Sequence, residues 1–181
     1  METYIAMLRG INVSGQKKIK MADLRGYMEE LSFQDVETYI QSGNIVFKAK
    51  GNATQLAQVI RAKILERYGF EVPTLVKQHK DFEYVLANCP FMLDPAKDES
   101  RFYITFLDCE PETALVEKLE ELNYSPEEYV LDGTNIFFYS PNGYGNAKMN
   151  NNFFEKKLKV SATTRNWKTV HKLAEMSSPS S

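Results

Sequence analysis

The chain has 181 residues, of which 43% are hydrophobic and 25% charged, a composition near the average for folded proteins that excludes disordered, collagen-like and membrane-spanning classes. Its 22 basic and 24 acidic residues give a net charge of −2, which excludes a uniformly basic nucleic-acid domain, and two cysteines, Cys89 and Cys109, are too few for a disulfide scaffold and read as reduced, packed thiols. The start of the chain carries Glu2 and Arg9, and no run of about 18 apolar residues follows, so the expectation is a cytoplasmic protein without membrane contact.

Taken in chain order, alternating apolar residues predict a strand at 4–9, and Leu24, Tyr27, Met28 and Leu31 at helical spacing predict a helix at 22–32. Strands at 36–41 and 44–48 follow across a Ser42-Gly43 turn. A helix at 54–68 buries Leu56, Val59, Ile60 and Ile64 on one stripe and ends at Gly69 as its C-terminal cap, and a strand at 72–77 closes the set. The order β-α-β-β-α-β is the ferredoxin-like pattern. A linking helix at 82–88 ends before Pro90.

The second half repeats the order, with a strand at 102–107, a helix at 112–122 turning Leu115, Leu119 and Leu122 inward, a hairpin of 128–131 and 135–140 around Asp132-Gly133, and a helix at 151–158. The strings VETYIQSGNIVF and EEYVLDGTNIFF resemble each other directly, so an internal duplication is the economical explanation. Residues 160–163 can supply the eighth strand and 166–176 a last helix. The fold expectation is therefore α+β, two ferredoxin-like units with antiparallel sheets covered by helices, at 1–78 and 102–176, joined by a linking helix and loop at 79–101 and followed by a disordered tail at 177–181.

The small net charge hides a segregation. Residues 9–25 carry +4, residues 148–172 carry +6, and residues 81–135 carry −11. The loop after the first strand, Gly10 to Lys18, nearly matches the phosphate cradle Gly-x4-Gly-Lys-Ser/Thr, but Gln16 stands at the lysine position and the next helix begins too late to stack the loop amides on its end. What remains is a flexible loop carrying Asn12, Ser14, Lys17 and Lys18, open to two readings, an anion contact or an ordinary surface connection. Tyr4 and Phe47, with Tyr103, Phe137 and Tyr139 in the second half, hold positions where RNA-recognition domains stack bases, but the accompanying signature is missing and the first strand is apolar on both faces, so these rings read as core. His79 and His171 lie at no metal-ligand spacing, and no metal or cofactor is expected; His171 shares a stripe with Trp167 and Val170 and reads as half-buried packing. In the string ATTRNWK at 162–168, Thr163 or Thr164 is a fitting N-cap, after which Arg165, Lys168 and Lys172 form a basic stripe; a capped amphipathic helix and an anion site stand side by side.

The strings LRGINVSG, TYIQSGNIVF, YGFEVP and ATTRNWKTVHKL, in that order, resemble the domain-of-unknown-function 1697 family across nearly the whole chain. The resemblance implies a bacterial cytosolic protein of two ferredoxin-like halves and supplies no reaction or catalytic residue. Function therefore rests on the charged strings. If the first loop and the start of the last helix meet, Arg9, Asn12, Lys17, Arg165, Asn166 and Lys168 line one basic cleft for a phosphate-containing small molecule or a nucleic acid. The alternatives are an enzyme acting on a small phosphorylated or carboxylated substrate and a protein-interaction or assembly domain; the oligomeric state is open.

Overall fold

The computed structural model describes residues 1–180, which divide into two compact units: Met1–Glu83 together with the residues from Lys172 on, and Tyr84–His171. In the first unit the order is β1 (Glu2–Leu8), α1 (Met21–Glu30), β2 (Gln34–Tyr39), β3 (Asn44–Ala49), α2 (Ala53–Tyr68) and β4 (Thr74–Gln78). These strands form one antiparallel sheet in the order β2-β3-β1-β4, so β1 is bonded on both edges. Tyr4, Ala6 and Leu8 of β1 join Ile45 and Phe47 of β3 in a core with Leu24 and Met28 of α1 and Leu56, Ile60 and Ile64 of α2. Ile5 and Met7, on the other side of β1, are fully buried as well, as the doubly apolar strand predicts. Val59 does not belong to the buried stripe of α2: it is 42% exposed, because the helix turns Leu56, Ile60 and Ile64 inward instead.

Local chemistry sets the ends of α2. Asn52 and Gln55 form a reciprocal capping box at its start, and Gly69 ends it at φ 72°, the left-handed conformation that glycine adopts without a Cβ clash. The edge strand β2 carries an irregularity between Gln34 and Glu37, where Asp35 takes φ 49° and pairs with Lys48 at 2.7 Å; a bulge and charge on an edge both discourage pairing with another chain. At the far ends of α1 and α2, Glu30 accepts from Lys63 and Arg67, and these cations hold its carboxyl below the ordinary 4.5. A depressed carboxyl contributes stability above its ordinary value and loses it as pH falls through the folded value. The stability difference between wild type and Glu30→Gln, read by urea unfolding, is therefore expected to be present at neutral pH and to shrink as pH falls below the ordinary carboxyl range.

The helix α3 (His79–Asn88), which starts directly after β4 rather than at Phe82, begins in the first unit and runs on into the second, where short 3₁₀ turns follow at Pro90–Leu93 and Glu99–Arg101. Then come β5 (Phe102–Leu107), α4 (Thr113–Glu120), β6 (Glu128–Asp132), β7 (Asn135–Tyr139), α5 (Asn151–Leu158), β8 (Ala162–Asn166) and α6 (Trp167–Met176). The sheet order β6-β7-β5-β8 is antiparallel and repeats that of the first unit. Its core joins Leu107, Ile136 and Phe138 to Leu119 of α4 and Phe154 and Leu158 of α5, whereas Leu122 lies past the end of α4 and is 36% exposed. Of the stretch expected as a linker, the residues from Tyr84 on group with this unit: Phe91 packs at 5.7 Å on Phe102 and 5.9 Å on Tyr139.

Matching contacts align the two halves. Leu8 N donates to Gly43 O and Leu107 N to Thr134 O, both at 2.8 Å, and the next residues, Asn44 and Asn135, pair with Met7 and Phe106. Gly43 therefore corresponds to Thr134, not to Gly133. The first hairpin also has a longer connection than the two-residue turn expected, running from Ile40, at φ 50°, to Gly43. Ser177, read as the start of a frayed tail, is 1% exposed and donates its hydroxyl to Leu173 O at 2.7 Å; Ser181 lies outside the described residues.

Candidate functional site

The segment between β1 and α1 is built as a small hairpin finger rather than a flexible loop. Ile11 and Ile19, 1% and 2% exposed, anchor its two ends in the core. Between them Asn12 N donates to Lys17 O at 3.2 Å and Gln16 N to Val13 O at 2.9 Å. The turn residues Ser14 and Gly15 have φ 51° and 74°, the signature of the mirror-image turns whose twist suits a two-residue hairpin. Asn12 braces the finger from inside: its side-chain amide donates to Ile19 O at 3.0 Å and to Gln41 O at 2.8 Å, and its Oδ1 accepts from Ile19 N at 2.9 Å. At φ 54° it occupies the left-handed region that asparagine tolerates better than most residues.

Lys17 leaves the finger toward the chain before β4, donating to Glu71 O at 2.7 Å with its amine 6.0 Å from the Phe70 ring centroid. Arg9, at the base, donates its backbone N–H to Pro73 O at 3.0 Å. Residues 13–18 are exposed, so Lys17 and Lys18 put two cations on an arm of fixed backbone, the first of them held by the Glu71 carbonyl. The structure thus places Arg9, Asn12 and Lys17 on one braced element of the first unit. The finger folds back on itself before α1 begins at Met21, so its amides do not stack on that helix.

In the second unit Arg165, Asn166 and Lys168 sit where β8 becomes α6, but not with the local geometry expected. β8 extends to Asn166, so Thr163 and Thr164 are strand residues and cap nothing. Thr164 serves the sheet instead, bonding Thr105 Oγ1 at 2.8 Å and Asn151 Oδ1 at 3.0 Å. Asn166 is the cap, its Oδ1 accepting from Thr169 N at 2.8 Å. Arg165 is not on the helix stripe: it pairs in register with Ile104, is 9% exposed, and donates to Thr164 O at 3.0 Å. Burial pulls its guanidinium down to about 10, which leaves it cationic at neutral pH. Lys168 is exposed on the first turn of α6. Trp167 is buried edge-on against Phe102 at 5.9 Å, and its Nε1–H has no hydrogen-bond acceptor.

The other sequence candidates resolve plainly. Tyr4 stacks on Phe47 at 5.9 Å within the core and donates to Gly51 O at 2.6 Å, so the strand rings pack rather than present a base platform. His171 is exposed, not half-buried, and meets the Trp167 ring edge-on at 5.0 Å. Neither cysteine is in a disulfide; Cys89 is buried and Cys109 exposed rather than packed. Among the described residues no cluster of three or more His, Cys, Asp or Glu side chains is placed to hold a metal, and no helix is long and apolar enough to cross a membrane. One feature escaped the sequence reading: a cavity of about 220 Å³ in the first unit, lined by Gln58, Arg61, Ala62, Leu65, Glu71 and Val72. Gln58 and Arg61 sit on an exposed face of α2 and Glu71 on the connection to β4, where periodicity marks only what is buried.

Comparison with known proteins gives a family model described as "Protein of unknown function (DUF1697)", which matches residues 1–137. No curated protein matches the chain. Among solved structures, the conserved bacterial protein SP0830 from Streptococcus pneumoniae is similar, with 25% identity and a TM-score of 0.72 over 97% of this chain and 98% of that one.

Proposed function

The chain belongs to the DUF1697 family of proteins of unknown function, and from the chemistry of its own residues we propose that it binds an anionic ligand, a phosphate-containing small molecule or a nucleic acid. The observation that carries this reading is the finger: a backbone held by Asn12 that carries Lys18 and, bonded to the Glu71 carbonyl, Lys17 as exposed cations. Cations on a fixed frame lose little freedom when they engage a phosphate, which is where preorganised sites gain affinity. Arg9 adds charge at the base. Arg165, Asn166 and Lys168 form a second basic patch, in which the buried guanidinium reinforces the positive potential at the capped start of α6.

A thermal-shift screen of nucleotides, sugar phosphates and short oligonucleotides tests the proposal, because a ligand that binds only the folded state raises its melting temperature. The expected result is a shift for at least one of these anions that is lost in Lys17→Gln/Lys18→Gln and weakened in Lys168→Gln. If the ligand is a nucleic acid, the slope of log affinity against log salt falls by roughly 0.7 to 0.9 for each phosphate contact removed. No shift with any anion, or equal shifts in wild type and the double variant, overturns the proposal. Arg165 is buried, so its replacement reads out folding before binding.

A further inference from the structure

We infer that the cavity beside α2 is a binding site for a small zwitterion of the α-amino-acid type. Its walls bring together three chemistries within the first unit: Arg61 and Gln58 project from α2, Glu71 stands on the segment leading to β4, and Ala62, Leu65 and the fully buried Val72 supply apolar surface between them. Arg61 and Glu71 carry opposite charges at the edge of one cavity, yet among the described residues neither side chain makes an ion pair with the other or with any neighbour. Lys17 fixes the Glu71 wall through the backbone carbonyl and so leaves the carboxylate available.

A simple anion can engage Arg61 but leaves Glu71 facing like charge, and a simple cation has the reverse defect. A molecule carrying a carboxylate and an ammonium on one carbon satisfies both, with the carboxylate forked on the planar guanidinium and the ammonium on Glu71. The Gln58 amide can donate to the same carboxylate, and the ligand's side chain lies on Leu65, Ala62 and Val72. At about 220 Å³ the cavity falls below the ~300 Å³ at which drug-sized sites begin, which restricts the ligand to a single small unit. Of the residues proposed above for the anionic ligand only Lys17 touches this site, through the Glu71 carbonyl, and the test below varies Arg61 and Glu71 alone with probes that carry no phosphate, so the two proposals fail separately.

The test is an amide-resolved NMR titration of the whole protein with three probes of one shape: L-leucine, 4-methylpentanoate, which lacks the ammonium, and 3-methylbutylamine, which lacks the carboxylate. The expected result is saturable shifts of the amides at 58–65 and 71–72 with leucine, and affinities at least about tenfold weaker for the other two, since each lacks one charge-assisted contact. In Glu71→Gln, leucine and 4-methylpentanoate become equivalent; in Arg61→Gln, leucine and the amine do. Both positions are exposed, and the same spectra report whether the variants remain folded. The inference is overturned by the absence of saturable shifts, by equal binding of all three probes, by preferential binding of either singly charged probe, or by variants that keep leucine affinity within about twofold.

Discussion

Gly43→Ala is expected to destabilise the protein by about 2 to 5 kcal/mol, combining about 1 to 2 for a Cβ in the left-handed region with about 1 to 3 for overpacking. Gly43 has φ 85°, and a Cβ built on it would lie 2.6 Å from Leu8 Cβ and 2.9 Å from Ile11 Cδ1. Neither neighbour can step aside: both are fully buried, and Leu8 is also bonded through its backbone to Gly43 O. A loss of that size corresponds to a melting temperature lower by roughly 10 °C in a protein this large. Gly133→Ala is the control, since at φ 60° its Cβ would meet only Glu110 Oε1 at 3.8 Å, so the strain of the backbone alone remains, about 1 kcal/mol. Urea unfolding of the two variants separates the effects; equal losses would show that the close approach at Gly43 contributes nothing.

Asn12→Ala is expected to lose about 2 to 4 kcal/mol, because three side-chain hydrogen bonds disappear together and each is worth about 0.5 to 1.5 in net terms. The partners left behind include the backbone N–H of Ile19, which sits in the core. Asn12→Asp is expected to fare no better: it retains the acceptor for Ile19 N but turns a carboxylate toward the carbonyls of Ile19 and Gln41. Asn12→Gly relieves the φ 54° backbone without restoring any bond, so its difference from alanine isolates the backbone contribution. Hydrogen exchange at the Ile19 amide should accelerate in Asn12→Ala and Asn12→Gly, which lose its acceptor. A stability unchanged in Asn12→Ala would mean that the finger is held by Ile11 and Ile19 alone.

The elements were legible wherever a repeated pattern met a clear stop. The strand Phe102–Leu107 and the helix Asn151–Leu158 fall on their expected residues, and Gly69 marks the end of α2 because glycine alone pays no steric penalty there. Errors came where one residue type serves two environments. Thr163 and Thr164 are good caps by type, but threonine is also a good strand residue, and the pairing of β8 with β5 decided the matter. Once the strand ran to Asn166, Arg165 was carried off the helix and into the sheet, which no local pattern reveals. Ser14-Gly15 is not among the usual pairs for a mirror-image turn, so the finger read as an open loop. Of the candidate site, the clustering of cations in two strings was visible in sequence. The role of Asn12 was not, because its partners lie at Ile19 and across the chain at Gln41.

The first unit is discontinuous, and this orders events during synthesis. His79 Nδ1 bonds the hydroxyl of Ser177 at 2.8 Å, and the residues from Lys172 on belong with Met1–Glu83, so a piece of the unit made first is translated only after the second unit. At ribosomal speeds of about 5 to 20 residues per second, the intervening residues take several seconds to emerge. Throughout that interval the nascent first unit lacks its closing segment, while Tyr84–His171 forms an uninterrupted stretch able to complete itself earlier. A chain ended at His171 should therefore carry a second unit that resists protease and a first unit that is cut readily.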